Sequence, residues 1–478
     1  MTERSSLKPV SEDFEGAELG DKRRTKRLQK ILDSAERTSG LSLPKQLGGD
    51  DAALEATYRW LNNEQIDPQA VLEAHQQATA GRARQHDHVV TVHDTTTFTF
   101  SGEREGLGLI GVSLKGMLAH YSIALSPAGE PLGVLGLRVW GRSETPRPKA
   151  ADKSLKRYDE DRESLRWHDA VDEVTQRLAG SVAALHVMDR EGDAFELLAD
   201  LAEHEQRFVI RVAHDRGVLV GEAQEGALFD AMGQTPIMLE REVAIGSRAP
   251  TRSPKDRKLH PPRQARVARL TVRAGTLTTL RDASSPAHLP DELTLNYVDV
   301  LETTPPENQD PVHWRLVTTE PITTAEQVAR IVDLYRMRWT VEEYFKAIKT
   351  GCQFEKLQLE SARALLMALA IYSAVAWKLL LVRWMERQAP DAPASHIVTP
   401  TQLAILAGHQ RKIRRPWLAP PTCRDVLLAI AALGGHIRNN GAPGWIVLGR
   451  GFHDLLLMEA GALLAQAPPG AGEDVINP

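Results

Sequence analysis

The feature that most constrains the fold is the alternation of short apolar runs with helical segments in the middle of the chain. His88–Val92, Ala183–Met188 and Arg207–Val212 have the length and composition of buried strands, and Ala194–His204 has helical spacing between the last two. This alternation predicts an α/β sheet that is covered by helices.

Two further features of this region are a meander and a basic insertion. The runs Ala119–Leu125 and Gly133–Trp140 look like strands and are joined by a Ser-Pro-Ala-Gly turn. From Arg241 to Arg273, ten Lys or Arg residues stand against two acidic residues, and the proline-rich centre of this block cannot form a regular element. We therefore expect a β-rich insertion that carries a flexible basic loop.

Helical patterns dominate the N-terminal region. Residues 21–45 hold eight Lys or Arg residues against three acidic ones, and Leu28, Ile31 and Leu32 recur at helical spacing, which predicts an amphipathic helix with a basic outer face. A solvated helix face is the alternative interpretation. Contact with phosphate is favoured over this alternative because five cations lie within six positions: Lys22, Arg23, Arg24, Lys26 and Arg27.

Together these patterns predict a multidomain α+β chain with a central α/β mixed sheet. We expect a helical N-terminal domain over 1–75, a central core over 76–385 with its insertion at about 215–312, and a helical C-terminal domain over 386–478. The net charge of −5 excludes a uniformly basic coat for nucleic acid, although local basic patches remain compatible with it.

Neither a membrane span nor a secretory leader is predicted. The longest strongly apolar stretch, Ala364–Leu381, contains Lys378 and reads as a buried helix. The first residues are polar, and Cys352 and Cys423 are far apart and in no metal-binding spacing. We therefore expect a cytoplasmic protein without a disulfide framework or a zinc site.

Two aspartates, Asp94 and Asp189, follow apolar strand-like runs. A carboxylate at the carboxyl end of a strand is held rigidly at the crevice where open sheets bind ligands. Two such residues on neighbouring strands could share a divalent cation. Each also has a simpler interpretation, because Asp94 could belong to a turn and Asp189 could cap the helix that follows.

A third acidic residue lies in a helical pattern from residue 335 to residue 349. At about 100° per residue, five side chains share a stripe about 80° wide: Tyr335, Arg338, Glu342, Lys346 and Lys349. Glu343 falls outside that stripe, so Glu342 is the better ligand candidate. A carboxylate flanked by cations suits a metal bound beside a phosphate backbone. A ladder of surface salt bridges is the alternative.

The spacing Tyr335-(2)-Arg338-(3)-Glu342-(6)-Lys349 resembles the Y-R-E-K signature of the insertion-sequence-four group of bacterial cut-and-paste transposases. The segments before residue 15, at 102–115 and at 390–420 match this family poorly, so its preference for a transposon-end sequence does not transfer. Elsewhere the similarity covers nearly the whole chain, at Leu19–Asp21, Arg23–Thr25, Thr57–Trp60, Asp94–Thr96, Asp189–Glu191, Arg207–Val209, Arg211, Trp314 and Leu433–Gly435.

The resemblance implies a ribonuclease H-like core with a DDE triad. By motif match, Asp94, Asp189 and Glu342 become the catalytic residues and the ligands of two Mg²⁺ ions, for which Mn²⁺ would substitute. Trp314 matches the residue on which a flipped base stacks, although a core position beside a strand is the commoner role of tryptophan. The other expected DNA contacts in the core are Tyr335, Arg338, Lys346, Lys349 and Arg211.

The resemblance also implies a reaction and its partners. The enzyme would bind transposon ends, cleave DNA with a hairpin intermediate and join the 3′-hydroxyl ends to target DNA. Two copies would pair the DNA ends, with the N-terminal domain on DNA and the C-terminal domain in the dimer. The alternatives are a catalytically inactive repressor that binds DNA, a plain metal-dependent endonuclease, and a carboxylate-based glycosidase, which the many cations disfavour.

Overall fold

The computed structural model describes residues 9–37, 40–143, 163–220, 224–246, 262–282, 285–307, 309–437 and 442–466. It has a large mixed sheet and extensive helical regions. The chain divides into two compact units. Unit 1 comprises residues 1–86, 95–146 and 340–478, and unit 2 comprises residues 87–94 and 147–339. The three consecutive domains expected from the sequence stay a prediction.

The regular elements are as follows. The helices are α1 (Lys22–Arg37), α2 (Leu43–Gln46), α3 (Asp51–Leu61), α4 (Pro68–Ala83), α5 (Arg166–Leu178), α6 (Phe195–Glu203), α7 (Leu228–Gln234), α8 (Ala325–Met337), α9 (Trp339–Lys346), α10 (Ala362–Gln388), α11 (Pro400–Lys412), α12 (Cys423–Leu433) and α13 (Trp445–Gln466). The strands are β1 (His88–Thr99), β2 (Gly108–Leu109), β3 (Lys115–Leu125), β4 (Pro131–Trp140), β5 (Ala183–Met188), β6 (Arg207–Arg211), β7 (Gly217–Val220), β8 (Gln224–Ala227), β9 (Ile237–Ile245), β10 (Arg266–Leu280), β11 (Glu292–Glu302) and β12 (His313–Thr318).

Unit 2 is built on mixed strand pairing. The first half of β1 runs parallel to β5, and β5 runs parallel to β6. Strands β12, β11 and β10 follow in antiparallel order, and β10 also pairs with β7 and β9. Apolar residues of α5, α6 and α7 pack against this sheet around Trp167, Phe208 and Tyr297. The expected strands of the insertion are therefore present, whereas the centre of its basic loop lies outside the described residues.

Unit 1 is organised around α10. This helix is long and apolar enough to cross a membrane by length and composition, and 89% of its most apolar window is buried inside the protein. It packs on α4 and β4, and the indole nitrogen of Trp377 donates to the carbonyl of Pro131 at 2.9 Å. The prediction of a buried core helix at 364–381 is confirmed, because its apolar residues find partners on all sides.

The C-terminal part of unit 1 is helical, as expected. Helices α11, α12 and α13 share an apolar cluster that includes Leu406, Ile430 and Leu455. Helix α12 is followed by the pair Gly434 and Gly435, where Gly435 has a φ of 88° that favours glycine. Helix α13 begins at Trp445.

Two sequence expectations about the site elements are wrong. Strand β1 does not end before Asp94, because the β-branched Thr95, Thr96 and Thr97 continue it to Thr99. The helical pattern from 335 to 349 is not one regular helix. The amide of Arg338 bonds three residues back at the end of α8, and a wider π-turn over Ala347–Gly351 follows α9. A constant 100° per residue therefore does not describe this segment.

A capping box opens α8. Thr324 accepts from the amide of Gln327, and the Gln327 side chain accepts from the amide of Thr324. A neutral glutamine at the third helical position serves this reciprocal bond as well as a glutamate does.

Candidate active site

The two candidate aspartates of unit 2 lie on neighbouring parallel strands. Val92 of β1 stands opposite Val187 of β5, and Asp94 and Asp189 each lie two residues further along. Because side chains alternate along a strand, each aspartate projects to the same face as the valine two residues before it. Neighbouring strands lie about 4.8 Å apart, so this register favours a common location for the two carboxylates.

Asp94 is fixed by an ion pair. The Nη1 atom of Arg338 donates to Oδ2 of Asp94 at 3.1 Å, and the two side chains are only 13% and 15% exposed. A charge-assisted bond in such a half-buried place is stronger than one in water. Arg338, which lies between α8 and α9, is therefore the residue of the Y-R-E-K pattern that contacts the first aspartate.

Asp189 is fixed by a local turn. Its Oδ1 accepts from the amide of Glu191 at 2.8 Å, so it caps the short 3₁₀ turn Arg190–Gly192. Asp189 therefore caps this turn and not α6, whose N-cap residue is Ala194. One bond to a backbone amide orients a carboxylate and leaves it able to accept others. This cap is compatible with a further role as a ligand.

An aromatic and basic layer accompanies the aspartates in unit 2. The rings of Trp314 on β12 and Tyr335 on α8 meet edge to face, with centroids 5.5 Å apart. Arg211 at the end of β6 donates from Nη2 to the carbonyl of His313 at 3.0 Å. Burial raises the pKa of the Tyr335 hydroxyl, although Arg338 and Arg211 oppose the shift, so this group is a neutral donor at pH 7.

The structure also shows site features that the sequence did not indicate. His93 and His186 are fully buried and join Nε2 to Nδ1 at 2.9 Å. Burial lowers the pKa of His186 to about 4, so its ring is neutral at pH 7. Asp193 forms a buried ion pair with Arg216 at 2.6 Å. The position of Asp193, four residues after Asp189, was the sequence feature that could have indicated its ion pair with Arg216.

The remaining core candidates lie in unit 1. Glu342 on α9 is partly exposed, and Lys349 lies in the π-turn with Nζ 5.5 Å from the ring centroid of Phe98. Burial lowers the pKa of Lys349, and the carboxylates of Glu355 and Glu342 oppose that shift. Lys346 is bound to Glu343 at 3.0 Å.

Glu343 has a structural environment that accounts for its place outside the predicted stripe. Besides Lys346 it lies 3.6 Å from the Nε of Arg383 and 3.6 Å from Nη2 of Arg387, and its side chain is 13% exposed. The pKa of Glu343 is lowered because these cations outweigh the opposing effect of burial. This carboxylate is therefore committed to holding α9 and α10 together.

The N-terminal cations differ among themselves. Lys22, Arg23 and Lys26 are exposed, and Arg27 lines a cleft of about 380 Å³ with Lys30 of the same helix. The predicted amphipathic helix is confirmed, since its apolar stripe is buried. Arg24 has a structural role as well, because it donates to the carbonyl of Leu19 and to the side chain of Gln65.

The donor types suit a hard divalent cation. Asp94 and Asp189 offer carboxylate oxygens, which Mg²⁺ and Mn²⁺ prefer. Within the described ranges, no group of three or more His, Cys, Asp or Glu side chains is arranged to hold a metal ion. The metal-binding triad of Asp94, Asp189 and Glu342 stays a prediction.

Comparison with known proteins identifies two domains. A family model described as transposase DNA-binding matches residues 9–66, which include α1 and α3. A model described as transposase DDE domain matches residues 165–377, which include Asp189 and Glu342. Asp94 lies between the two matched segments.

Among solved structures, the chain is similar to the piggyBac transposase in a cryo-EM synaptic complex with hairpin DNA. The identity is 10%, the TM-score is 0.30, and the match covers 88% of this chain. The chain spans 62% of the length of that protein.

The two matched segments define the class of domain that this chain contains: a transposase DNA-binding domain at 9–66 and a transposase DDE domain at 165–377. Domains of the second kind generally act with divalent metal ions.

Proposed function

We propose that this chain is a cut-and-paste transposase of the insertion-sequence-four group that resembles the transposase of transposon five. It binds transposon ends, cleaves both strands through a hairpin and joins the 3′-hydroxyl ends to target DNA. The observation that carries this proposal is the pairing of Asp94, on a strand beside that of Asp189, with Arg338 of the Y-R-E-K pattern. A ribonuclease H-like core is part of the proposal, and the parallel strands β1, β5 and β6 support it.

The metal chemistry assigned to the site is that of two-ion phosphoryl transfer. Asp94, Asp189 and Glu342 would hold two Mg²⁺ ions, which lower the pKa of a bound water and stabilise the leaving 3′-oxygen. Mn²⁺ is expected to substitute, because it accepts the same oxygen ligands. No covalent enzyme intermediate is required, so the chain needs no nucleophilic serine or cysteine.

The protein side chains position the DNA. Arg338, Lys346 and Lys349 bind phosphates near the cleaved end, and Arg211 and Tyr335 support them through a guanidinium and a neutral hydroxyl. After the first cut, the free 3′-hydroxyl attacks a phosphate of the opposite strand, which forms the hairpin and releases the flanking DNA with its own 3′-hydroxyl. Hydrolysis opens the hairpin and restores the 3′-hydroxyl of the element, which then attacks a phosphate of target DNA and displaces a target 3′-hydroxyl.

Trp314 is proposed to hold the base that is extruded when the hairpin forms. It is partly exposed, and its edge-to-face contact with Tyr335 fixes the orientation of its ring. Stacking on an aromatic side chain stabilises an unpaired base by about 1–3 kcal/mol. The structural role of Trp314 as a strand residue, opposite Val300 on β11, is compatible with this second role.

The decisive experiment is incubation with DNA that carries the native element's ends, with and without Mg²⁺, scoring nicks, hairpins and joined products. Glu342→Ala is expected to lower the rate of cutting by about a thousandfold or more, because each carboxylate ligand supports several kcal/mol of charge stabilisation. Binding of the same DNA is expected to change less than about threefold.

Glu360→Gln is the matched control, since Glu360 is an exposed carboxylate of the same unit. It is expected to cut at the normal rate. Cutting by Glu342→Ala would refute the assignment of the third carboxylate. Nicks without hairpins or joined products in the wild-type protein would instead identify a plain endonuclease, and binding without any cutting would identify a repressor.

Trp314→Ala is expected to slow hairpin formation by about tenfold while the first nick keeps its rate, because the lost stacking acts only on the extruded base. Trp314→Phe should restore most of the hairpin rate, since it retains an aromatic face. Gel analysis of single-turnover products measures both steps. Equal loss at both steps in Trp314→Ala would mean that Trp314 only supports the fold.

A further inference from the structure

The five residues 411–415, which span the end of α11 and the turn after it, concentrate positive charge. Four of these five residues are cations, and all four are exposed: Arg411, Lys412, Arg414 and Arg415. In the part of the chain that the structure describes, none of them forms an ion pair with an acidic side chain. The 33 residues from 392 to 424 contain five Lys or Arg and no Asp or Glu, so the local charge is not neutralised by near neighbours in sequence.

Helix capping explains only part of this cluster. Arg411 and Lys412 lie in the last turn of α11, where cations interact favourably with the helix dipole. Arg414 and Arg415 lie beyond the helix end. A role in capping therefore accounts for two of the four charges.

The backbone at Arg414 indicates a function for its side chain. Arg415 donates from its amide to the carbonyl of Gln410 at 2.8 Å, and Arg414 to that of Arg411 at 3.0 Å, which closes a Schellman motif. Arg414 has a φ of 58°, in the left-handed region where glycine is favoured. A strained arginine in an exposed turn costs stability, so the side chain is expected to contribute something other than folding.

The turn is also anchored, which makes it a surface of fixed position. Pro416 follows Arg415 and favours an extended backbone there. Trp417 packs against the apolar cluster of α11, α12 and α13. Leu418 is 99% exposed, and a single exposed leucine offers too little apolar area to insert into a lipid surface.

We propose that this basic turn, residues 411–415, binds the phosphate backbone of double-stranded DNA without reading its sequence. Guanidinium and ammonium groups that extend from one fixed turn can contact successive phosphates. The turn lies outside both matched segments, 9–66 and 165–377, so it would be a separate DNA contact. The proposal depends on DNA being the partner and not on the cutting chemistry.

The test measures the affinity of the full-length protein for an unrelated 30-base-pair duplex over a range of salt. Arg414→Gln with Arg415→Gln is expected to reduce the slope of log K against log salt by about 2 and to weaken binding roughly tenfold or more at 0.1 M salt. The matched control is Lys356→Gln with Arg450→Gln, which removes two exposed cations of the same unit. The control pair should leave the slope unchanged.

A second variant separates binding from folding. Arg414→Gly removes the cation and relieves the left-handed strain, so its Tm should rise while its affinity for DNA falls. A lower Tm together with unchanged affinity would overturn the proposal. Equal effects of the turn pair and the control pair would overturn it as well, because they would reflect net charge alone.

Two sources of duplex share this chemistry, and the substrates distinguish them. If the variant Arg414→Gln with Arg415→Gln binds more weakly than the wild-type protein only when the end DNA extends beyond the cleavage point, the flanking DNA lies on the turn. If the variant, already bound to end DNA, captures an unrelated duplex more weakly than the wild-type protein does, target DNA lies there. Either result supports the contact.

The variant Arg414→Gln with Arg415→Gln would refute the proposal if it bound anionic phospholipid vesicles more weakly than the wild-type protein does and bound DNA equally well. Mg²⁺-dependent cutting of pre-bound end DNA should keep its rate in the turn variants. A wild-type protein that never cuts would refute the proposed function and leave this contact untouched.

Discussion

The ion pair of Asp94 with Arg338 in unit 2 and the basic face of α1 in unit 1 use charge in opposite ways. In the first, Arg338 and Asp94 are 13% and 15% exposed and hold each other directly. On α1, Arg23 is 91% exposed, and its partner Asp21 lies two residues away in the chain. The first arrangement fixes atoms in place, whereas the second supplies mobile charge to solvent.

This difference follows from the environment of each pair. Hydrogen bonds to charged groups strengthen where water is excluded, so the interior pair orients its carboxylate. An exposed pair is screened by salt and contributes about 0–1 kcal/mol. Chemistry on a phosphate needs the first arrangement, because reacting groups must be positioned beforehand. Capture of a long polyanion is well served by the second.

The largest expected effect comes from breaking the interior pair. Arg338→Gln removes the cation that holds Asp94 and is expected to lower the single-turnover cutting rate by about a hundredfold to a thousandfold. Arg336→Gln is the control, because Arg336 is exposed and pairs with Asp333 on the same helix. Similar rates in the two variants would show that the Asp94 pair has no special importance.

A second interior carboxylate, Asp13, tests whether burial alone makes an ion pair contribute to stability. Asp13 binds Arg82 at 2.8 Å and His75 at 2.7 Å in unit 1, and these bonds outweigh burial and lower the pKa of Asp13 to about 2. Asp13→Asn should reduce the free energy of unfolding at pH 7 by about 2 kcal/mol. Asp21→Asn, at the exposed pair, should leave the free energy of unfolding nearly unchanged, because water and salt screen that pair.

The pH dependence of this pair has a definite sign. The folded-state pKa of Asp13 lies below its unfolded value of 3.8, so its stabilisation is complete above about pH 5 and is lost as the pH falls toward 2. The difference in stability between the wild-type protein and Asp13→Asn should therefore shrink over that interval. Chemical denaturation at several pH values measures it, and a constant difference would contradict the assignment.

The smallest effect is expected from the exposed face of α1. Lys22→Gln with Lys26→Gln should reduce the salt slope of DNA binding by about 2 if both side chains contact phosphates. Stability should change by less than about 0.5 kcal/mol, because both side chains are exposed. An unchanged slope would favour the interpretation of α1 as a merely solvated helix face.

Local sequence determined the individual elements of this protein. Apolar runs gave β5 at Ala183–Met188 with the expected bounds, and the burial of Leu28, Ile31 and Leu32 follows from their helical spacing. The stretch 364–381 within α10 is poor in charged residues and forms a buried core helix. These properties depend on periodicity and propensity, which act over a few neighbouring residues.

Other features required the tertiary structure. The ion pair of Asp94 with Arg338 joins residues 244 positions apart, and the contacts of Trp314 with Tyr335 and of His93 with His186 also link separate elements. The extension of β1 past Asp94 and the break at Arg338 changed the expected geometry of the site. The order of residues fixes which side chains are present, but distances between them depend on strand pairing and packing, whose free energy comes from contacts distant in sequence.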